Sequence, residues 1–196
     1  MGEGVRGLGR IFGRRGQDAG DATPATPGAT CVLMVCMGNI CRSPTAEAVL
    51  RSKLRAAGLQ RAVAVDSAGT IDHHRGEPPD PRAIRHAARR GYDLSALRAR
   101  AVEPADYLRF QWMLAMDEDN LRLLRRQQPP DSAARLALLL EHAPQLGQIE
   151  VPDPYYGAPA GFERVLDLVE AACDGLVERL ARELGGAAAA GDRPPA

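Results

Sequence analysis

The spacing of hydrophobic positions changes several times along the chain, and each spacing points to an element. Residues 30–35 form a continuous apolar run, suited to a strand buried in a parallel sheet. A helix is predicted from Ser43 to about Ala57. Ser43 caps it, Pro44 fits the first helical position, Glu47 falls in the first turn where the dipole favours an acid, and Gly58 stops it. Residues 62–66 read as the next strand and 67–79 as a polar loop with glycines and prolines. Asp80-Pro81 opens a second helix that Gly91 ends. Residues 110–116 form a third strand, followed by a helix over 118–126. The run 135–141 is ambiguous and is read as a strand, because Pro144 and Gly147 end it early. A long helix is predicted over 161–184, since Phe162, Val165, Leu166, Val169, Cys173, Leu176 and Leu180 recur at steps of three and four.

Alternating strands and helices imply a parallel sheet covered on both faces, with ligands bound at the carboxyl ends of the strands. The domain is expected over residues 30–184. Residues 1–29 and 185–196, rich in Gly, Ala, Pro and Arg, read as disordered tails. The basic segment VRGLGRIFGRRG within the first tail has a second reading, as a weak membrane-surface or partner element. Its glycines oppose a helix at ~1 kcal/mol each.

Composition narrows the function classes. The 25 basic and 25 acidic residues cancel, so bulk charge gives no reason to expect nucleic acid as a partner. No apolar run of membrane-spanning length occurs, and the N-terminus lacks the features of a signal peptide, so a reducing cytoplasm is expected. There Cys31, Cys36, Cys41 and Cys173 are thiols rather than a disulfide framework. Their spacings and the histidine positions do not make a zinc site.

The segment Cys36-Met37-Gly38-Asn39-Ile40-Cys41-Arg42-Ser43-Pro44 follows the first strand. A cysteine, five residues and an arginine can curl so that successive backbone N–H groups line a cup for a tetrahedral oxyanion. The helix after it adds its positive N-terminal end. Gly38 and Asn39 tolerate the positive φ that a tight anion loop needs. Arg42 offers a bidentate fork to two phosphate oxygens. Cys36, at the bottom of the cup, is the candidate nucleophile, because this environment favours the thiolate. Ser43 can donate a hydrogen bond to its sulfur.

The run VCMGNICRSPTAEAVL, residues 35–50, resembles the phosphate loop and first helix of the low-molecular-weight protein-tyrosine phosphatases. The resemblance continues, in the family's order, through DSAGT at 66–70, PPDPRA at 78–83, AMDEDNLRLL at 115–124 and DPYYG at 153–157. It covers about residues 30–184 and implies a three-layer α/β/α fold with a four-stranded parallel sheet. It further implies hydrolysis of phosphotyrosine in proteins through a phosphocysteine on Cys36, with inorganic phosphate or other oxyanions as product or inhibitor and without metal or cofactor. Asp153 matches the general acid, although Asp-Pro taken alone is an ordinary turn. Tyr155 and Tyr156 match one border of the cleft, where they can stack on a phosphotyrosine ring, and His73 lies in the loop that matches the opposite wall. Asp117 matches a buried acid that supports the loop serine. Many members pair that acid with a histidine near Leu97, which cannot make the bond. Cys41 has two readings, a redox guard for Cys36 or a small buried filler.

Bacterial members often act on autophosphorylating tyrosine kinases of surface-polysaccharide export, and the arginine-rich composition fits a bacterium. Two other functions compete. Arsenate reduction on the same fold needs a relay of downstream cysteines, and Cys173 alone follows the loop. A non-catalytic phosphoprotein-binding module has no use for Cys36, Arg42 and Asp153 together.

Overall fold

The computed structural model describes residues 28–191, with side chains through residue 186. Most of the expected N-terminal tail, including its basic segment, lies outside the described residues.

The apolar run near the start becomes β1 (Thr30–Cys36). It is an inner strand of a four-stranded sheet in the order β2-β1-β3-β4, with β2 (Val63–Gly69), β3 (Trp112–Ala115) and β4 (Arg135–Leu138) all pairing in parallel. Alternation along β1 divides its side chains between two cores. Val32, Met34 and Cys36 face one, and Cys31, Leu33 and Val35 face the other.

The first core is closed by α1 (Arg42–Ala56), α2 (Pro81–Arg89) and α5 (Ala160–Gly191). All seven α5 positions expected from periodicity are buried there. The second is closed by the short α3 (Asp106–Arg109) and by α4 (Glu118–Gln127), through Tyr107, Leu121 and Leu124. The result is the three-layer α/β/α arrangement, with the Cys36 loop at the carboxyl end of β1.

Several boundaries differ from the sequence expectations. The residue before α1 is Cys41, with φ −123° and ψ −76° and no side-chain cap, so Ser43 lies inside the helix and not at its cap. Glu47 accordingly falls in the second turn, leaving no acid in the first. β2 continues to Gly69, so Ser67 is a strand residue pairing beside Met34 rather than the start of a loop. β4 stops at Leu138 and the chain turns into a 3₁₀ segment over Leu139–His142. The cause is local: the Glu141 carboxylate reaches back to accept from the Leu138 N–H at 3.0 Å. α5 passes Leu184 and runs through Gly191, where a tail was expected; four successive alanines have the helix propensity to carry it. Among the described residues, no helix is long and apolar enough to cross a membrane.

Candidate active site

Cys36 ends β1, and the next five residues curl into a loop before α1 begins at Arg42. Its sulfur lies 3.3 Å from the Asn39 N–H, which donates to it, and 3.1 Å from Ser43 Oγ. Asn39 is the one non-glycine residue with positive φ, 55°, among the described residues. Gly38 does not need that freedom. A Cβ there would sit 3.0 Å from His74 Cδ2, so its contribution is room for the neighbouring loop. Gly69, at the end of β2, has a similar part: a Cβ would meet the Met37 carbonyl at 2.7 Å.

A buried hydrogen-bond chain braces the loop. The Arg100 N–H donates to Asn39 Oδ1 at 2.9 Å, which fixes the amide orientation. Asn39 Nδ2 then donates to Ser43 Oγ at 2.9 Å and to Ser67 Oγ at 2.8 Å. Ser67 donates to Glu47 Oε2 at 2.5 Å. With one acceptor position on Ser43 filled by Asn39, its proton can point to the sulfur at 3.1 Å in preference to the Ala68 carbonyl at 3.4 Å. Glu47 is buried and also pairs with Arg51 at 2.8 Å. Burial pushes its pKa up to about 7, against the opposing pull of Arg51 and Ser67.

Arg42 is 3% exposed. One of its terminal nitrogens donates to Asp117 Oδ2 at 2.5 Å and to the Val151 carbonyl at 3.2 Å. The other reaches Asp153 Oδ2 at 3.3 Å. Burial opposes the guanidinium charge, but Cys36, Asp117 and Asp153 outweigh it and raise the Arg42 pKa. Cys41 is buried beside this group. Burial first, then the charges of Asp80, Cys36 and Asp153, push its pKa up, so it is held as the protonated thiol.

Above the loop lies a cleft of about 250 Å³. Its floor is Cys36, Met37, Gly38, Ile40, Cys41 and Arg42, and Asp153 stands at one side. Ile71, His73 and His74 form one border and Tyr155 and Tyr156 the other. Tyr155 is 37% exposed and packs edge-to-face on Tyr156, whose ring centroid is 4.9 Å away. Tyr156 is 96% exposed, so it contributes a rim more than a wall.

The residues expected at the site therefore meet, with one correction. Asp117 is not the acid that supports the loop serine. Its carboxylate is 20% exposed, binds Arg42, and caps α4 by accepting from the Asn120 N–H at 2.7 Å. The buried acid on the serine network is Glu47. At position 97, where a histidine was expected to be missing, Leu97 packs against the first core, and the Arg100 main chain holds Asn39. The sequence reading missed Glu47, Ser67 and Arg100 as site residues. Two weak signals existed: an acid one helical turn after Ser43, and a serine inside the conspicuous DSAGT run.

Comparison with known proteins agrees with this geometry. The family model described as low molecular weight phosphotyrosine protein phosphatase matches residues 31–185. A low molecular weight protein-tyrosine-phosphatase of Streptomyces coelicolor is 44% identical over 161 residues, covering 81% of this chain and 98% of that protein. Among solved structures, a protein tyrosine phosphatase from Entamoeba histolytica with Hepes in its active site aligns with a TM-score of 0.76 at 36% identity, covering 79% of this chain and 99% of that one. Vibrio vulnificus Wzb in complex with benzylphosphonate aligns at 0.67 and 28% identity, covering 78% and 99% respectively.

Proposed function

This chain belongs to the low molecular weight phosphotyrosine protein phosphatase family, and from that premise we propose that it hydrolyses phosphotyrosine monoesters through a phosphocysteine on Cys36. The observation that carries the reading is the surroundings of one sulfur. Cys36 Sγ has donors at 3.1 and 3.3 Å from Ser43 and Asn39, at the base of a cleft that also holds the Arg42 fork and the Asp153 carboxyl group.

The Cys36 thiolate attacks phosphorus in line with the ester oxygen. The loop amides and Arg42 hold the equatorial oxygens, where charge must be stabilised. As the P–O bond breaks, its electron pair leaves with the phenolate, which takes a proton from the Asp153 carboxyl group. A sulfur–phosphorus bond remains. Asp153, now ionised, takes a proton from water as that water attacks phosphorus. The S–P bond breaks, inorganic phosphate departs and the thiolate returns. Asp153 is well exposed and its contact with Arg42 is long, at 3.3 Å. An incoming phosphoryl group can therefore take over that nitrogen without breaking a tight pair. Asp117 keeps the other end of the guanidinium in register.

Two features favour this over arsenate reduction. Cys173 is fully buried on α5, with its thiol pKa raised by burial, so no second thiol downstream is available as a relay. The aromatic border suits an aryl ester. Within the reading, the substrate is a phosphotyrosine protein in a reducing cytoplasm. An autophosphorylated bacterial kinase of polysaccharide export is the candidate that the resemblance offers.

The test is turnover of an aryl phosphate by wild type, Cys36→Ser and Asp153→Asn, with acid-quenched trapping. The serine variant should lose at least about a thousandfold in kcat. Wild type should carry phosphate on Cys36. Asp153→Asn should lose rate mainly with poor leaving groups. Comparable activity in Cys36→Ser would remove Cys36 as the nucleophile.

A further inference from the structure

Arg82 lies outside the floor of the cleft and takes no part in the proposed chemistry. It is held on three sides. Its Nε and one terminal nitrogen donate to the two oxygens of Asp80 at 3.0 and 2.8 Å, a bidentate pair. Its Cζ sits 5.3 Å from the Tyr155 ring centroid and 4.9 Å from that of Phe162, both within cation–π range. Each anchor is itself fixed. Asp80 caps α2 by accepting from the Arg82 N–H at 2.7 Å, and its own N–H donates to the Ile40 carbonyl of the phosphate loop at 2.8 Å. Phe162 is buried at the start of α5 and stacks on His86 at 5.6 Å, and His86 Nδ1 lies 2.5 Å from Glu163. One side chain thus ties the phosphate loop, α2 and α5 to the aromatic border.

We propose that Arg82 is a positioning residue that sets the Tyr155 ring against the cleft, and so governs how strongly the site prefers aryl ligands over bare oxyanions. The inference rests on the proposed function for its meaning, since it assigns the ring-recognising part of that same cleft. A simpler role, as the partner of the Asp80 cap, accounts for the ion pair but not for the two rings that flank the guanidinium. Arg82 does not line the cleft, so it does not act as a second phosphate ligand. Its direct contact with the cleft lining is Tyr155, whose other contacts are weaker, while its link to the phosphate loop runs at one remove through Asp80. Tyr155 donates its backbone N–H to Asp153 at 3.1 Å and packs on the exposed Tyr156, and both partners belong to the same loop.

The experiment compares wild type, Arg82→Met, Arg82→Lys, Tyr155→Ala and the Arg82→Met/Tyr155→Ala double variant. Binding of benzylphosphonate and of inorganic phosphate is measured by titration calorimetry on the full chain. Arg82→Met should weaken benzylphosphonate by about three- to fivefold and leave inorganic phosphate within about twofold. Arg82→Lys should fall between, because an ammonium keeps the charge but not the planar fork. In the Tyr155→Ala background, Arg82→Met should have no further effect. Equal weakening of both ligands overturns the proposal and leaves Arg82 a structural cap partner. Additive losses in the double variant, or no loss in Arg82→Met, overturn it as well. Because the readout is binding, an absence of phosphocysteine or of turnover would sink the proposed function without touching this result.

Discussion

The floor of the cleft and its borders are built on opposite principles. The floor, from Cys36 to Ser43, is sewn into the core. Asn39, Arg42, Ser43, Glu47 and Ser67 are all buried; Asn39, Ser43, Ser67 and Glu47 are chained to one another and to the sulfur, and Arg42 is held by Asp117 and the Val151 carbonyl. The borders, around 71–77 and 153–157, lie largely in solvent and are held by isolated side-chain pairs. Arg75 bonds Asp72 at 2.7 Å, His74 bonds Glu77 at 2.7 Å, and Tyr155 leans on Arg82. A buried polar network is costly to leave half-satisfied, so the floor has one arrangement. An exposed ion pair is worth little, so the borders can change at small cost. The nucleophile and the phosphate-holding groups sit on the first kind of structure, and recognition of varied substrates, together with the proposed acid Asp153, on the second.

Asn39→Ala strikes the floor at its busiest point and carries the largest expected effect. It leaves the Arg100 N–H without its acceptor, removes a donor from both Ser43 and Ser67, and puts alanine at φ 55°. The loss should be about 3 kcal/mol of stability by urea unfolding, with kcat lower by about a hundredfold. Asn39→Gly keeps the backbone freedom and should recover only the strain, about 1 kcal/mol. If either variant behaves like a border substitution, the division between the two regions fails.

Glu47 sharpens the comparison through pH. Its pKa is near 7 in the folded chain and near 4.5 when exposed, because burial outweighs Arg51 and Ser67, with Asp66 adding to the rise and Arg100 opposing it. Between those values the folded chain holds a proton that the unfolded chain has released, so stability falls as pH rises from about 4.5 through 7. The full change is on the order of 3 kcal/mol. Glu47→Gln stays neutral throughout and should flatten this part of the profile in urea titrations run at several pH values. An unchanged slope would show that the acid is not the titrating group.

The same division explains what the sequence made legible. The Cys-x5-Arg spacing, the strand before it and the helix after it are local, so chain order alone locates the floor. The three-layer fold follows from the spacing of apolar residues, which β1 and α5 obey closely. What failed was non-local. Ser43 looks like a cap, but Cys41 takes that place and Ser43 lies inside the helix, where it makes the contact with the sulfur that the sequence did lead one to expect. Glu47 looks like a first-turn acid, and its partner Ser67 arrives twenty residues later on β2. Asp117 matched the supporting acid by order along the chain, yet the neighbour it meets is Arg42, 75 positions away. The link from Arg82 to Tyr155 has no trace in spacing at all. Sequence pattern reports what neighbours along the chain do, and these contacts are made only when α1, β2 and the acid loop converge.

The smallest effect belongs to a border residue, His73→Trp. His73 is exposed and packs edge-to-face on His74, with ring centroids 4.8 Å apart, so a larger ring can extend toward the cleft without entering the core. Added aromatic area should lower KM for an aryl phosphate by about threefold, the scale of one ring contact. kcat with a good leaving group and inhibition by inorganic phosphate should not move, because neither depends on the 71–77 border. Stability should change by less than about 0.5 kcal/mol, as for most surface substitutions. A shift in phosphate inhibition would mean that the 71–77 loop presses on the floor through the close approach of His74 to Gly38. The two regions would then be coupled, and the borders could not vary independently of the chemistry beneath them.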